Sequence, residues 1–192
     1  ARLGEAVLAA GAEPVVLLVA GASRLHLQHP LPTAAPLGRR ALAVVGAKRH
    51  GMIVNFSRWV QFDAALDPDE AALLEVEADA YDATVPGRQL RDILSEIAAA
   101  YPRHGLSADA WLAHHQGGPT GYLGRDPKVT PESTELVQTG QAFAWNPWVP
   151  GAKSEDTIIL DEAGQRTVVT VDPAWPTVRV RGMNRPTPLI LG

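Results

Sequence analysis

Two short stretches of the chain carry the residue types that do chemistry. They are His114-His115-Gln116-Gly117-Gly118 and Lys153-Ser154-Glu155-Asp156-Thr157. An imidazole exchanges a proton near neutral pH, and glycine lets the backbone pack close to a ligand. A carboxylate inside an apolar strand pattern needs a partner or a cleft, because an unpaired buried charge is costly. We therefore expect a site that combines His115 and Glu155 on separate strands.

Both stretches also have a purely structural interpretation. If residues 114–115 form a strand, His114 points to the opposite face from His115 and is structural. His115 itself can be a satisfied structural histidine. Lys153 and Glu155 can form a surface ion pair, which contributes little to stability.

Two loops supply further candidates for the site. His29 lies in the rigid sequence His-Pro-Leu-Pro, which either presents the imidazole to a cleft or leaves it on the surface. Arg125 directly precedes Asp126 and follows Tyr122 closely. This arrangement predicts an ion pair or a clamp for a substrate.

Polar residues also occur within apolar patterns. Asn55 and Ser57 share one face of an alternating strand and precede Arg58. Polar groups on an inward strand face indicate a site or a buried network. In Trp145-Asn146-Pro147-Trp148, the amide can hydrogen-bond a ligand; alternatively, the tryptophans close an edge of the core.

Composition excludes several classes of protein. The 192 residues are 46% hydrophobic, carry a net charge of −4 and include no cysteine. This length and composition predict a single domain. The acidic balance argues against a nucleic-acid partner, the longest apolar run is too short to span a membrane, and the lack of cysteine fits a cytoplasmic protein. The sequence contains no phosphate-binding glycine loop, serine elbow or zinc-binding helix motif.

Periodicity predicts a mixed α+β domain. Helices are expected over residues 1–12, 68–82 and 88–101, with Pro102 ending the last one. Strands are expected at 15–19, 41–45 and 52–62, the last two joined by a turn at 48–51. The chain from residue 110 onward is expected to consist mainly of strands and turns, with a hairpin around 162–164.

The order of these motifs resembles the pita-bread superfamily of Xaa-Pro aminopeptidases, prolidases, methionine aminopeptidases and creatinase. The resemblance covers essentially the whole chain as a C-terminal catalytic domain. It implies an α+β fold with a strongly curved antiparallel sheet, helices on the outer face and a cleft on the concave side. It also implies that residues 1–192 are one such domain lacking its first helix and an N-terminal domain, and that the protein forms a homodimer.

Five positions correspond to the family's metal ligands, and His29 corresponds to its loop histidine. The five are Val44, Asn55, His115, Asn146 and Glu155. In the family the first two are aspartates, eleven residues apart as here, and the fourth is a glutamate. Three of the five ligands are therefore replaced, so the resemblance implies a site with no metal and no cofactor, since divalent pairs need several anionic oxygens.

Creatinase, a metal-free member, suggests how such a site could work. By this analogy the catalytic residues are His29 as acid/base group, with His115 and Glu155 orienting it or the substrate. The expected substrate-binding residues are Asn55, Ser57, Arg58, Tyr122, Arg125, Trp145 and Asn146. The predicted function is metal-independent hydrolysis of a C–N bond in a small amide, amidine or amino-acid-like molecule.

Two alternatives remain. One is an inactive domain that binds a peptide or protein, as histone-chaperone and growth-regulating relatives of this fold do. The other is an Xaa-Pro aminopeptidase whose metal site has been rebuilt from other residues. For the favoured function the expected ligand is a small molecule or a short peptide.

Overall fold

The computed structural model describes residues 2–63 and 66–192. Three helices and twelve strands follow one another in these residues, with short 3-10 turns at Ala22–Arg24 and Ala110–Ala113. The elements are α1 (Arg2–Ala9), β1 (Glu13–Gly21), β2 (Arg40–Arg49), β3 (Met52–Gln61), α2 (Pro68–Ala83), α3 (Leu90–Arg103), β4 (Gly117–Thr120), β5 (Ala142–Trp145), β6 (Trp148–Val149), β7 (Ala152–Lys153), β8 (Asp156–Leu160), β9 (Arg166–Val168), β10 (Thr177–Val180), β11 (Met183–Pro186) and β12 (Leu189–Ile190).

The first sheet has the order β1-β2-β3-β12 and provides one wall of the site described below. Its pairs are antiparallel except for β12, which runs parallel to β3. The β2–β3 hairpin turns at His50 and Gly51, both with positive φ, as tight hairpin turns require. This confirms the predicted turn, and its register places Gly46 opposite Asn55.

The second sheet has the order β4-β5-β8-β9 and is joined to the first where β3 meets β8. The amide of Ser57 donates to the carbonyl of Glu155 over 2.9 Å, and the amide of Asn55 donates to the hydroxyl of Thr157, also over 2.9 Å. The predicted hairpin around 162–164 connects β8 and β9. The curved antiparallel sheet expected from the sequence is thus built as two four-stranded sheets linked by these bonds.

Helices α2 and α3 form the main core together with the second sheet. Helix α2 begins as predicted: the Asp67 side chain accepts from the Asp69 amide, and Pro68 is the first helical residue. The predicted stripe on α3, comprising Leu90, Ile93, Leu94, Ile97 and Tyr101, is buried against side chains of β5 and β8 such as Phe143, Trp145 and Ile158.

The prediction that Pro102 ends this helix was wrong by one residue. The helix continues to Arg103, and the His104 amide still donates to the carbonyls of Ala100 and Tyr101. A proline removes its own N–H from the helix, but the bond that closes this last turn comes from the residue two positions later. None of the helices in the described part of the chain has the length and apolar character needed to cross a membrane.

Candidate active site

A cavity of about 170 Å³ lies beside the inner face of the first sheet. Its walls come from strands β1, β2 and β3, from the loops that carry His29 and Arg125, and from the segment that leads into β8. The lining residues are Val16, Leu18, Gln28, His29, Val44, Gly46, Asn55, His114, His115, Gly124, Arg125, Asn146, Lys153 and Glu155. Residues far apart in the sequence therefore meet around one small space.

Two hydrogen bonds hold the His29 loop at the mouth of this cavity. The amide of Val19 in β1 donates to the carbonyl of Pro30 over 2.9 Å. The side chain of Gln28 donates to the carbonyl of Ala113. These bonds tie the loop both to the sheet and to the segment that carries the other two histidines, so His29 is positioned although its side chain is exposed.

Three imidazoles meet at the mouth of the cavity. The Nε2 atoms of His29 and His114 are 3.2 Å apart, so one nitrogen donates a proton to the other. The ring centres of His114 and His115 are 4.4 Å apart with an interplanar angle of 25°, and those of His29 and His115 are 6.0 Å apart at 15°. These two pairs are close to parallel, whereas the rings of His29 and His114 are inclined by 39° with their centres 4.9 Å apart.

All three histidines are shifted toward the neutral form. Burial, with the charge of Lys153, lowers the pKa of His114 to about 2. Burial, with Lys128 and Arg125, lowers the pKa of His115 to about 3. His29 is more exposed, but burial and Lys153 still lower its pKa below the ordinary 6.5. At neutral pH these groups are therefore uncharged acceptors and donors of protons.

Glu155, also in the cavity lining, is bonded to two cations. Arg125 Nη2 donates to Glu155 Oε1 over 2.5 Å, and Lys153 Nζ lies 3.2 Å from Oε2. The side chains of Lys153 and Glu155 are each only 4% exposed, and that of Arg125 is 11% exposed. Burial alone would raise the pKa of Glu155, but Lys153 and Arg125 together lower it, so the carboxyl is ionised.

Neutral amides complete the lining. The Asn55 side chain donates to the hydroxyl of Thr120 over 3.0 Å. The backbone amide of Asn146 donates to the carbonyl of Gln116 over 3.0 Å, which places its side chain at the cavity wall. Within the described residues, Oδ1 of Asn146 is buried and has no hydrogen-bond partner. It is therefore a free acceptor at the cavity wall.

The structure brings most of the sequence-predicted residues together at this cavity. The predicted catalytic residues and three of the predicted substrate-binding residues line it: His29, His115 and Glu155, with Asn55, Arg125 and Asn146. The five positions that the resemblance matched to metal ligands, Val44 among them, also line it.

Four predicted substrate-binding residues do not line the cavity. Ser57 and Arg58 border a separate void of about 20 Å³, and Arg58 instead binds Asp156 over 2.9 Å. Trp145 is fully buried and donates to the hydroxyl of Thr84 over 2.9 Å. This agrees with the alternative prediction that the tryptophans belong to the core. Tyr122 is 80% exposed.

Three structural expectations are corrected by these contacts. His114 does not point away from His115, because residues 114–115 precede β4 and lie outside the regular strand, so both rings line the cavity. Lys153 and Glu155 form a buried ion pair, not a surface one. Arg125 pairs with Glu155 across the fold rather than with its neighbour Asp126.

The glycines after His115 were expected to let the backbone approach a ligand. In the structure they let it pack against other backbone segments of the protein. A Cβ on Gly117 would lie 2.1 Å from the carbonyl oxygen of Ala144, and one on Gly118 would lie 2.6 Å from that of Pro127. Both have positive φ. The backbone here therefore packs closely against β5 and a neighbouring loop, and this packing fixes the position of the histidines.

One group of residues has the nitrogen ligands that a metal ion would use. His29, His114 and His115 each offer one ring nitrogen, and these atoms lie within 4.8 Å of one another. Imidazole ligands suit zinc, copper and nickel.

Lys153 and Glu155 were expected to pair only at the surface, and His114 was not expected in the cavity. The sequence signal for the first pair was the i, i+2 spacing within a strand pattern, which puts both side chains on one face. No signal in the sequence distinguished an inward face from a surface face there.

The fold is similar to that of solved hydrolases. A prolidase from Pyrococcus horikoshii superposes with a TM-score of 0.75 at 17% identity, over 88% of this chain and 52% of that one. Dipeptidase PepE from Mycobacterium ulcerans gives 0.72 at 20% identity, over 90% and 49%. The N-terminal domain of FACT complex subunit SPT16 from chickpea gives 0.65 at 16% identity, over 88% and 48%.

The chain spans about half the length of these solved proteins. No family model matches its sequence, and no curated protein matches it. At identities of 15–20%, the likeness establishes architecture and leaves activity open. The predicted fold is confirmed: the chain has the α+β pita-bread fold of the prolidase and the dipeptidase.

Proposed function

We propose that this protein is a metal-independent hydrolase that cleaves a C–N bond of a small amide, amidine or amino-acid-like substrate in the cavity. His29 is the acid/base group. The observation that carries the proposal is the pair of neutral imidazoles, His29 and His114, in contact over 3.2 Å at the mouth of the cavity. A histidine that is neutral at pH 7 can accept a proton from water.

The proposed reaction begins with water at the mouth of the cavity. His29 takes a proton as the water oxygen bonds to the substrate's carbonyl or amidine carbon. The electron pair of the C=O or C=N bond moves onto its heteroatom, where Arg125 and Lys153 stabilise the negative charge of an oxyanion. The C–N bond then breaks, and His29 returns its proton to the departing nitrogen. The products are a carboxylic acid, or an amide from an amidine, and an amine.

The other lining residues have supporting roles in this proposal. His115 stacks on His114 and orients the imidazole pair. Glu155 positions Arg125 and Lys153 by accepting from both. Asn55 and Asn146 offer amide groups to the substrate. We assign no catalytic part to Arg58, Ser57, Tyr122 or Trp145, because they lie outside the cavity.

Metal-independence is supported by the chemistry of the positions that correspond to the family's ligands. Valine has no donor atom, and the amides of Asn55 and Asn146 bring no charge, so only His115 and Glu155 retain ligand character. Both oxygens of Glu155 are already engaged by cations. This donor set does not fit a pair of divalent ions, which need several anionic oxygens.

The three-histidine group is likewise a poor fit to one metal ion as it stands. Lone pairs of imidazole nitrogens lie in the ring plane, and the stacked rings of His114 and His115, inclined by 25°, do not direct theirs to one point. The rings of His29 and His114 are inclined by 39°. Lys153 and Arg125 also repel a cation entering the cavity. Both observations favour acid/base chemistry over a rebuilt metal site.

The test is turnover by the His29→Ala variant. Chelator-treated protein is screened against acetamide, acetamidine, N-acetyl amino acids and Xaa-Pro dipeptides. For any substrate found, His29→Ala should lose at least ~100-fold in kcat, since general acid–base catalysis contributes about 10²–10⁴-fold. His26→Ala, an exposed histidine in the same loop region, is the matched control and should retain full activity. Activity that survives His29→Ala removes this residue from the mechanism.

A second candidate is a non-catalytic binding domain. The likeness to the N-terminal domain of a FACT complex subunit favours it, because that protein is named as a subunit of a complex and not as an enzyme. Absence of turnover across the panel, together with saturable peptide binding, would support this candidate. Turnover that disappears with chelator and returns with zinc would support the rebuilt metal site at the three histidines instead.

A further inference from the structure

The charges that line the cavity do not balance. Arg125 and Lys153 are its basic side chains, and both lie against Glu155. Burial lowers the pKa of Lys153, but the adjacent Glu155 carboxylate opposes that shift and favours the ammonium form. The three imidazoles are counted as neutral. Within the described residues, Glu155 is the sole carboxylate among the lining side chains. The formal charge of the lining is therefore one positive unit, held by side chains that are almost entirely removed from water.

The cations also keep hydrogen-bonding capacity that Glu155 does not use. Nε of Arg125 is buried and has no hydrogen-bond partner in residues 2–63 and 66–192. Lys153 carries three N–H donors and approaches Glu155 with its ammonium. A buried charge without a counter-charge is costly, as is a buried donor without an acceptor. Both costs fall if an anion enters the cavity.

We infer that this cavity binds a small monocarboxylate between Arg125, Lys153 and the imidazole at its mouth. A single negative charge matches the single excess positive charge, whereas a phosphate carries up to two. The planar carboxylate suits a guanidinium and an ammonium that converge from one side. The volume of about 170 Å³ limits the ligand to a small molecule or to the carboxylate end of a larger one.

This inference rests on the proposed function, because it treats the same cavity as the place of reaction. In that reaction negative charge develops on one substrate oxygen and remains on the carboxylate product of an amide. A cavity with an excess positive charge stabilises both. The cavity should therefore bind the acid released by hydrolysis more tightly than the neutral amide that enters.

The test is calorimetric titration of the wild-type chain with sodium acetate at fixed ionic strength. Acetamide, which has nearly the same shape and no charge, is the matched neutral ligand. We expect saturable binding of acetate and at least tenfold weaker binding of acetamide. Glycylglycine and N-acetylglycine then distinguish a peptide carboxylate from a free small acid as the source.

Variants locate the site. Lys153→Met and Arg125→Gln should each weaken acetate binding at least tenfold, while Arg49→Gln, an exposed arginine at the end of β2, should leave it unchanged. If one cavity variant fails to fold, the other still tests the location. The folded state of each is checked by circular dichroism before titration.

Three results would overturn the inference: no acetate binding by the wild-type chain, equal binding of acetate and acetamide, or equal binding of acetate and sulfate. None of these depends on turnover. Loss of acetate binding with intact His29-dependent hydrolysis would remove this inference alone. Acetate binding without hydrolysis would remove the proposed function and leave the inference standing.

Discussion

The segment from Lys153 to Asp156 separates two buried clusters of charge that differ in their balance. Lys153 and Glu155 face the cavity. Ser154 and Asp156 contribute to a second cluster beneath helix α2, in which Ser154 donates to Glu77. Alternation along an extended segment sends neighbouring side chains to opposite faces, so four consecutive residues serve two environments.

The cluster beneath α2 is balanced and closely bonded. Arg185 Nη2 lies 2.5 Å from Glu77 Oε2 and 3.3 Å from Asp156 Oδ2, and Arg58 Nη2 lies 2.9 Å from Asp156 Oδ1. Tyr81 donates to Glu77 Oε1 over 2.7 Å, and its ring lies 4.7 Å from the Arg185 guanidinium. Two cations meet two carboxylates here, so the formal charges cancel, although Nε and Nη1 of Arg185 are buried without a hydrogen-bond partner in the described residues.

The cavity cluster has two cations for one carboxylate, and it borders an open space. Charged groups in a protein interior are normally paired, because an unpaired ion is expensive to bury. A balanced cluster in packed surroundings is the arrangement of a structural network. An unbalanced cluster beside a cavity is the arrangement expected where a ligand supplies the missing charge. The contrast separates a structural role from a functional one within a single segment.

The largest effect is expected in the balanced cluster. Arg185→Met should lower the free energy of unfolding by about 3–5 kcal/mol, because removing one partner of a buried ion pair leaves its carboxylates uncompensated. Urea unfolding followed by circular dichroism at pH 7 measures the change. A loss below about 1 kcal/mol would show that Glu77 and Asp156 are satisfied without Arg185, contrary to this account.

The next largest effect concerns the acid stability of the histidine group. The pKa of His114 is about 2 in the folded chain, against about 6.5 in the unfolded one. Between these values only the unfolded state binds the proton, so folded stability falls as pH falls, by about 1.4 kcal/mol per pH unit. His114 therefore lowers the free energy of unfolding in acid.

Replacing His114 with glutamine should remove that slope. The difference in unfolding free energy between the wild-type chain and His114→Gln should shift in favour of the variant by about 1.4 kcal/mol for each unit of pH between 6 and 4. Urea titrations at pH 7, 6, 5 and 4 provide the measurement. His26→Gln, at an exposed position, is the control. A difference that stays constant with pH would mean that His114 is protonated in the folded state.

Much of the fold was predictable because its signals are local. The stripe of α3 follows helical spacing, Asp67-Pro68 marks the start of α2, and the Lys48–Gly51 turn marks the β2–β3 hairpin. The parallel pairing of β12 with β3 was not predicted. It joins residues more than a hundred positions apart, and periodicity contains no information about such partners.

The site was predictable where the resemblance supplied positions and unpredictable where tertiary contacts decide. His29, His115 and Glu155 converge on the cavity as expected. The sequence offered Arg125 either its neighbour Asp126 or a substrate as partner, whereas the loop brings it to Glu155 across the fold. Arg58 was placed in the site by its strand, but the alternation of β3 turns it toward Asp156. Charge partners depend on long-range packing, and sequence spacing alone does not reveal them.

A smaller effect is expected when a cation of the unbalanced cluster is removed. Lys153→Met takes away the ammonium and retains most of the side-chain volume, while Glu155 keeps its bond to Arg125. The unfolding free energy should therefore change by no more than about 1 kcal/mol, in clear contrast to Arg185→Met, because no buried charge is left unpaired. The same urea titration compares the two. A loss of about 3 kcal/mol or more would show that Lys153 is a structural partner of Glu155 and that the two clusters do not differ.

The smallest effect is expected at an ion pair that is neither buried nor beside a cavity. Arg39 lies 3.0 Å from Asp63, and both side chains are 71% exposed. Water screens such a pair, so Arg39→Gln should change the unfolding free energy by less than about 0.5 kcal/mol. Raising the salt concentration should leave the difference between this variant and the wild-type chain near zero. A larger loss at Arg39 would mean that charge removal destabilises the chain wherever it occurs. The contrast between Arg185 and Lys153 would then no longer report how each buried cluster is balanced.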